Sequence, residues 1–196
     1  MPTIALFGIN IAFAVTAWAV VTALYIWPAL RARPRIEALR SLLVLHAFRF
    51  GGLAFLVPGV VSPDLPAAFA HDAALGDIIA AILALLSLAT LRSKVGIFLV
   101  WVFNIWGSLD LLNAFYQANA AGLQPGQLGA AYFIPTAFVP LLLVTHGLVF
   151  RILLQGDRCA RARSGPGNST SRCMRALTPI ANRPTADRTR PRSASG

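Results

Sequence analysis

Ionisable and strongly polar side chains interrupt the apolar stretches of this chain at only a few places. His46 and Arg49 stand in residues 41–61, Asp77 near the start of 73–91, Asn104, Asp110 and Asn113 in 95–116, and His146 in 132–154. A charged residue at the centre of a membrane span costs about 2.5–3.5 kcal/mol on insertion scales, so each of these is a candidate functional group. His46 and Arg49 are three residues apart and share one helix face, which must turn into a bundle for both to be satisfied.

Depth sorts these residues. At 1.5 Å per residue, and counting from Arg40, Val95 and Leu154 as edges on one side, His46 lies about 9 Å in, Arg49 and Asn104 about 13 Å and His146 about 12 Å. The four form one polar layer contributed by three helices. Asp110 lies about 22 Å in; with Asn113 and Gln117 it makes a second polar stripe in the outer half, the half where Asp77 also stands. Asn104 is about 120° around the helix from that stripe. An Arg49–Asp110 pair would be strained at these depths, so Asn104, or a carbonyl freed by Pro140, is an equal candidate partner for Arg49.

Two histidines at one depth on different helices are a candidate pair of axial ligands for a haem b iron, since haem is commonly held by His inside helical bundles. Only Gly51, Gly52 and Gly147 stand nearby for a close approach of the macrocycle. Acid–base work by His46 or His146 with Asp110, and a proton or small-solute path through Asp77, Asp110, Arg49 and His146, are the other chemistries these residues suit. His71, Asp72 and Asp64 have no HxxxH or HExxH spacing and read as a solvated loop without a metal site. No GxSxG, P-loop, GxGxxG or HExxH motif is present. The expected function is therefore a non-enzymatic membrane component acting through partners or through small-solute or proton passage, with a haem-binding or redox subunit as the alternative.

The elements that position these residues follow from composition. Of 196 residues 57% are hydrophobic and 12% charged, against about 45–50% and 25% in soluble domains, and the mean hydropathy is +0.67. A helix crossing the hydrocarbon core needs roughly 20 apolar residues, which predicts five spans near 3–30, 41–61, 73–91, 95–116 and 132–154. The first has no basic residue ahead of it and is longer than a secretory signal's apolar core, so it is expected to stay as a transmembrane helix.

Basic residues fall in alternate connections: Arg31, Arg33, Arg35 and Arg40 after the first span, Arg92 and Lys94 after the third, Arg151 and Arg158 at and after the fifth. Residues 62–75 and 117–131 carry none. The positive-inside rule then predicts an N-out, C-in bundle. All but one of the 17 basic residues are Arg, a usage associated with GC-rich bacteria, so the expected location is a bacterial inner membrane.

Residues 156–196 hold nine Arg against Asp157 and Asp187, a net +7 that leaves +3 for residues 1–155. This composition predicts a disordered cytoplasmic tail, with anionic lipid headgroups as its candidate partners. No aromatic residue lies among these arginines to stack on bases, so nucleic acid is not expected. Cys159 and Cys173, without CxxC spacing, point to neither a disulfide framework nor a metal site. The fold class expected is an all-α integral membrane protein: a five-helix bundle followed by a basic tail.

Overall fold

The computed structural model describes residues 3–163, with side chains to residue 155. Among the described residues the structure is all-helical apart from an isolated bridge between Pro58 and Val61. Five helices are long and apolar enough to cross a membrane: α1 (Thr3–Arg31), α2 (Arg35–Leu56), α3 (Ala67–Thr90), α4 (Lys94–Ala120) and α5, which opens with a π turn at Ile134–Phe138 and continues as Val139–Arg163. Residues Met1–Leu154 form one compact unit; beyond it the α5 backbone stays helical to Arg163. The tail expected to be disordered from residue 156 is thus helical at its start, and its remainder lies outside the described residues.

Prolines account for two local departures from α geometry. Pro28 in α1 follows the π turn Thr22–Ile26, closed by Trp27 N–H on the Thr22 carbonyl. Pro140 in α5 follows the π turn Ile134–Phe138, closed by Val139 N–H on the Ile134 carbonyl. A proline ring clashes with the carbonyl four residues earlier, and widening the preceding turn moves that carbonyl aside. The Trp18 indole donates to the Ala137 carbonyl within the second widened turn (3.1 Å), the kind of outside partner that makes proline tolerable in a membrane helix.

Two helices start earlier than hydropathy places them. α2 begins at Arg35, directly after Pro34, instead of near Ser41. α3 begins at Ala67, directly after Pro66, instead of near Ala73, so His71 and Asp72 sit exposed on its first turns and not in a loop. Charges mark where water begins, whereas the prolines, which cannot continue a helix backward, mark where the helix begins.

Packing divides the bundle along its length. At the end bearing the basic connections, Leu39, Leu43, Val100, Phe103, Val149 and Leu153 belong to one buried apolar cluster. At the opposite end Phe55, Leu65, Phe69 and Leu128 belong to a second. There the two base-free connections are stitched together: Ser62 N–H donates to Gln127 O (3.0 Å) and Ala130 N–H to Val60 O (2.8 Å). Gly129, at φ +51°, lies so close to the Val60 carbonyl that a Cβ would overlap it, and only glycine adopts such a backbone cheaply. None of Thr3–Val21 in α1 is buried, and the helix gives Leu30, from its last turn, to the first cluster.

Candidate functional site

The polar residues of α2 to α5 meet between the two apolar clusters. α2 is α-helical to Ala47 and then tightens into a 3-10 helix over Phe48–Leu56. Residues three apart align on one face when a turn holds three residues, and Arg49, Gly52 and Phe55 are the buried residues of that segment. His46, one such step earlier, is buried as well. The tightened helix therefore aims a straight row of side chains into the bundle, where an α-helix would fan it out.

Arg49 is the centre of the site, 1% exposed. Its Nε donates to Asp77 Oδ1 at 2.7 Å, and Nη2 reaches the same oxygen at 2.7 Å and Asp110 Oδ2 at 2.5 Å. Nη1 donates to the Gly107 carbonyl at 3.1 Å and faces His146 Nε2 at 3.4 Å. Every nitrogen of the guanidinium fork is thus engaged, by α3, α4 and α5 together. A planar fork of five donors suits this arrangement, and a lysine ammonium could not reproduce it.

The histidines extend this centre toward the basic end. A guanidinium can only donate, so His146 Nε2 accepts from it and the ring proton resides on Nδ1, which donates to Asn104 Oδ1 (2.8 Å). Asn104 Nδ2 returns to the His146 carbonyl (3.3 Å), fixing ring and backbone at once. His46 lies beside His146 with ring centroids 4.2 Å apart, Phe103 packs against both, and Thr145 Oγ1 meets His46 Nε2 at 3.1 Å. His46 Nδ1 is buried without a hydrogen-bond partner.

This geometry does not fit a pair of axial haem ligands. The imidazoles are in van der Waals contact, leaving no room between them for a macrocycle, and one of the His146 nitrogens faces a guanidinium while the other holds Asn104.

The expected division into two separate polar patches also changes. His146 touches His46, Arg49 and Asn104, and Asp77 and Asp110 join them as the carboxylates of Arg49. Asn113 does not: it is exposed. The reason is side-chain reach. Depth counted along the backbone places Arg49 and Asp110 far apart, but the guanidinium extends well beyond its Cα, and Asp110 leans toward the N-terminus of α4, inward.

Three glycines let the polar heads come this close. A Cβ on Gly52 of α2 would overlap the Asp77 carboxylate of α3, one on Gly76 of α3 the Asp110 carboxylate of α4, and one on Gly107 of α4 both Arg49 Nη1 and the His146 ring. Each helix of the trio thus offers a bare backbone to the polar side chain of a neighbour. A glycine one turn from, or next to, an intramembrane charge was the available signal for this arrangement: Gly52 follows Arg49 by three, Gly76 adjoins Asp77 and Gly107 precedes Asp110 by three.

Asp77 and Asp110 also line a partly open pocket at the base-free end, walled by phenylalanines from α1 to α4 and bordered by Leu123 and Leu128 of the connection after α4. Its volume is ≈ 50 Å³, more than a single water needs. On the other side of Arg49, the histidines end against the apolar cluster of Leu39, Leu43, Val149 and Leu153. The charged centre therefore opens toward one end of the bundle and is sealed from the other. No curated protein and no solved structure matches the chain. A family match covers residues 6–154, essentially the compact five-helix unit that carries all six residues of the site. By that match the chain belongs to the family described as Domain of unknown function (DUF8737).

Proposed function

We propose that this chain is a non-enzymatic, multi-pass protein of the bacterial inner membrane, threaded N-out and C-in, whose Arg49–Asp77–Asp110 centre takes up and releases a proton through its pocket. The observation that carries the reading is a single buried guanidinium shared by two carboxylates that both line a cavity. One cation against two anions leaves one negative charge in excess inside a low-dielectric bundle, and a buried charge must be paired or neutralised. A proton arriving through the pocket neutralises it. The side chains of Asp77 and Asp110 are 12% and 14% exposed, whereas that of Arg49 is 0% exposed, so the carboxylates are the groups a proton reaches first. His146 and His46 continue the polar chain from Arg49 and are the groups through which proton movement would be felt toward the other side.

Infrared difference spectra of the full chain in lipid nanodiscs, titrated between about pH 4 and pH 9, test this directly. The carbonyl stretch of a protonated carboxyl group is expected to appear as pH falls, and to lose intensity in Asp110→Asn. A wild-type spectrum with no titrating carboxyl band that depends on Asp77 or Asp110 overturns the reading.

The orientation rests on the alternation of basic connections, which places the pocket on the outer side. Alkaline phosphatase fused after Ser62 or Gln124 is expected to be active, and after Leu30, Arg92 or Gly156 inactive. High activity after Arg92 would reverse the threading.

A further inference from the structure

On α1, Ala19, Ala23 and Trp27 follow one another at four-residue spacing, and so do Gly147 and Arg151 on α5, which puts each set on one helix face. The two faces line a common groove of ≈ 400 Å³. Its floor is bare because these side chains are small: Ala23 and Gly147 are exposed, and a Cβ on Gly147 would meet nothing within 4 Å. From Ala19 to Trp27 the groove runs about 12 Å at 1.5 Å per residue. It ends toward the basic connections, where Arg151 Cζ stands 3.9 Å over the Trp27 ring; an indole at such a level belongs to the headgroup layer.

Stacking on an aromatic ring holds a guanidinium by its face and leaves its edge donors for a phosphate, which they can bind in two parallel hydrogen bonds. Among the described residues the ion pairs are those of Arg40 and Arg49, and Arg151 has no carboxylate beside it. Thr22 also lines the groove, is 8% exposed and has a hydroxyl buried without a hydrogen-bond partner. It lies five residues deeper than Trp27, about 7.5 Å, a step comparable to that from the phosphate of a glycerophospholipid down to its ester groups. Basic pockets between transmembrane helices are recurrent sites for anionic headgroups.

We propose that this groove seats one anionic phospholipid, its phosphate accepting from Arg151 and one acyl chain lying along Ala23 and Ala19. With the N-out, C-in threading above, the lipid belongs to the cytoplasmic leaflet. The groove shares no residue with the Arg49 centre, so lipid binding and proton exchange stand or fall separately. An apolar helix of another chain would also fit a floor of small residues, but it would leave Arg151 at the mouth without an anion.

The test uses two lipids with a photoactivatable diazirine on the same acyl chain, one a phosphatidylglycerol and one a phosphatidylcholine, each diluted into phosphatidylcholine nanodiscs that hold the full chain. Peptide mass spectrometry locates the adducts. Labelling of 19–27 and 144–151 by the phosphatidylglycerol probe is expected to exceed that by the phosphatidylcholine probe about fivefold, the worth of one basic residue against an anionic headgroup. The reference is the same ratio around Leu85 and Phe98, exposed on α3 and α4 toward the same end, which cancels any general attraction of anionic lipid to the chain. Arg151→Gln is expected to remove the enrichment. Gly147→Leu, which fills the groove and leaves Arg151 and Trp27 in place, is expected to remove it too, in a protein that stays folded because the glycine faces open space. A groove no more enriched than the Leu85 and Phe98 surfaces, or an enrichment that survives either variant, overturns the proposal. So does a wild-type dimer that Gly147→Leu dissociates, which would put a second copy in the groove.

Discussion

Arg49→Met is expected to cost about 3–5 kcal/mol, the penalty for breaking a buried ion pair by removing one partner. Folded domains are stable by only about 5–15 kcal/mol, so the variant should give a small monodisperse yield in detergent and a much lower unfolding temperature. The cause is what the substitution leaves behind. Met fills a similar volume, but Asp77 and Asp110 lose their shared cation, and the Gly107 carbonyl and His146 Nε2 lose the donor that faces them. Arg49→Lys should fall between Met and wild type, because one ammonium cannot reach two carboxylates, a carbonyl and an imidazole at once.

Removing the carboxylates along with the cation reverses the expectation. Arg49→Met combined with Asp77→Leu and Asp110→Leu buries no charge, and replacing a whole buried ion-pair group by hydrophobic side chains of similar volume is often close to neutral in stability. Most of the lost folded yield should return. Differential scanning fluorimetry on the three purified proteins checks both claims: an Arg49→Met variant as stable as wild type would mean that the carboxylates are not held by Arg49, and a triple variant no better than the single one would place the damage in packing instead of charge.

Gly76→Ala is the second large effect, and its neighbours supply the control. A methyl group on Gly76 would occupy the position of Asp110 Oδ1, and the same conflict arises between Gly52 and Asp77 and between Gly107 and the Arg49–His146 contact. Overpacking of a close-packed interior costs about 1–3 kcal/mol. Here the displaced groups are also the charged ones, so each substitution strains the ion pairs as well as the packing. Gly51 adjoins Gly52 in the same 3-10 segment, yet a Cβ there meets nothing within 4 Å, and its φ is not positive. Gly51→Ala is therefore expected to change stability by no more than about 0.5 kcal/mol. Unfolding temperatures of the four alanine variants should separate into one near wild type and three well below it. If Gly51→Ala were as damaging as Gly52→Ala, the loss would come from stiffening the segment and not from the Asp77 contact.

The chain's amino-acid order determined the number of long apolar helices and their approximate places, because that property is local: twenty consecutive side chains either can or cannot replace water with hydrocarbon. It also pointed to His46, Arg49, Asn104 and His146 as residues of similar depth on three helices. Helix starts were less legible. Charged Arg35, Glu37 and Asp72 suggested loops, while the backbone follows the prolines at 34 and 66 and carries those charges on helical turns, Asp72 exposed and Arg35 and Glu37 half-buried.

Only the tertiary structure decided how the charges pair. Counting residues locates Cα atoms, but ion pairs are made by head groups at the ends of flexible side chains, and their reach was set by features that have no meaning on a single helix. The 3-10 tightening after Ala47 aligned Arg49 with Gly52 and Phe55, and the bare backbones of Gly52, Gly76 and Gly107 each received a polar group from another helix. The close, tilted contact of His46 with His146, which leaves no space for a macrocycle between them, is likewise a property of two helices packed together. Partition into an apolar phase is a sum over neighbours in sequence, so it can be read along the chain. The pairing of one guanidinium with two carboxylates depends on distances between residues 28 and 61 positions apart, and only packing sets those.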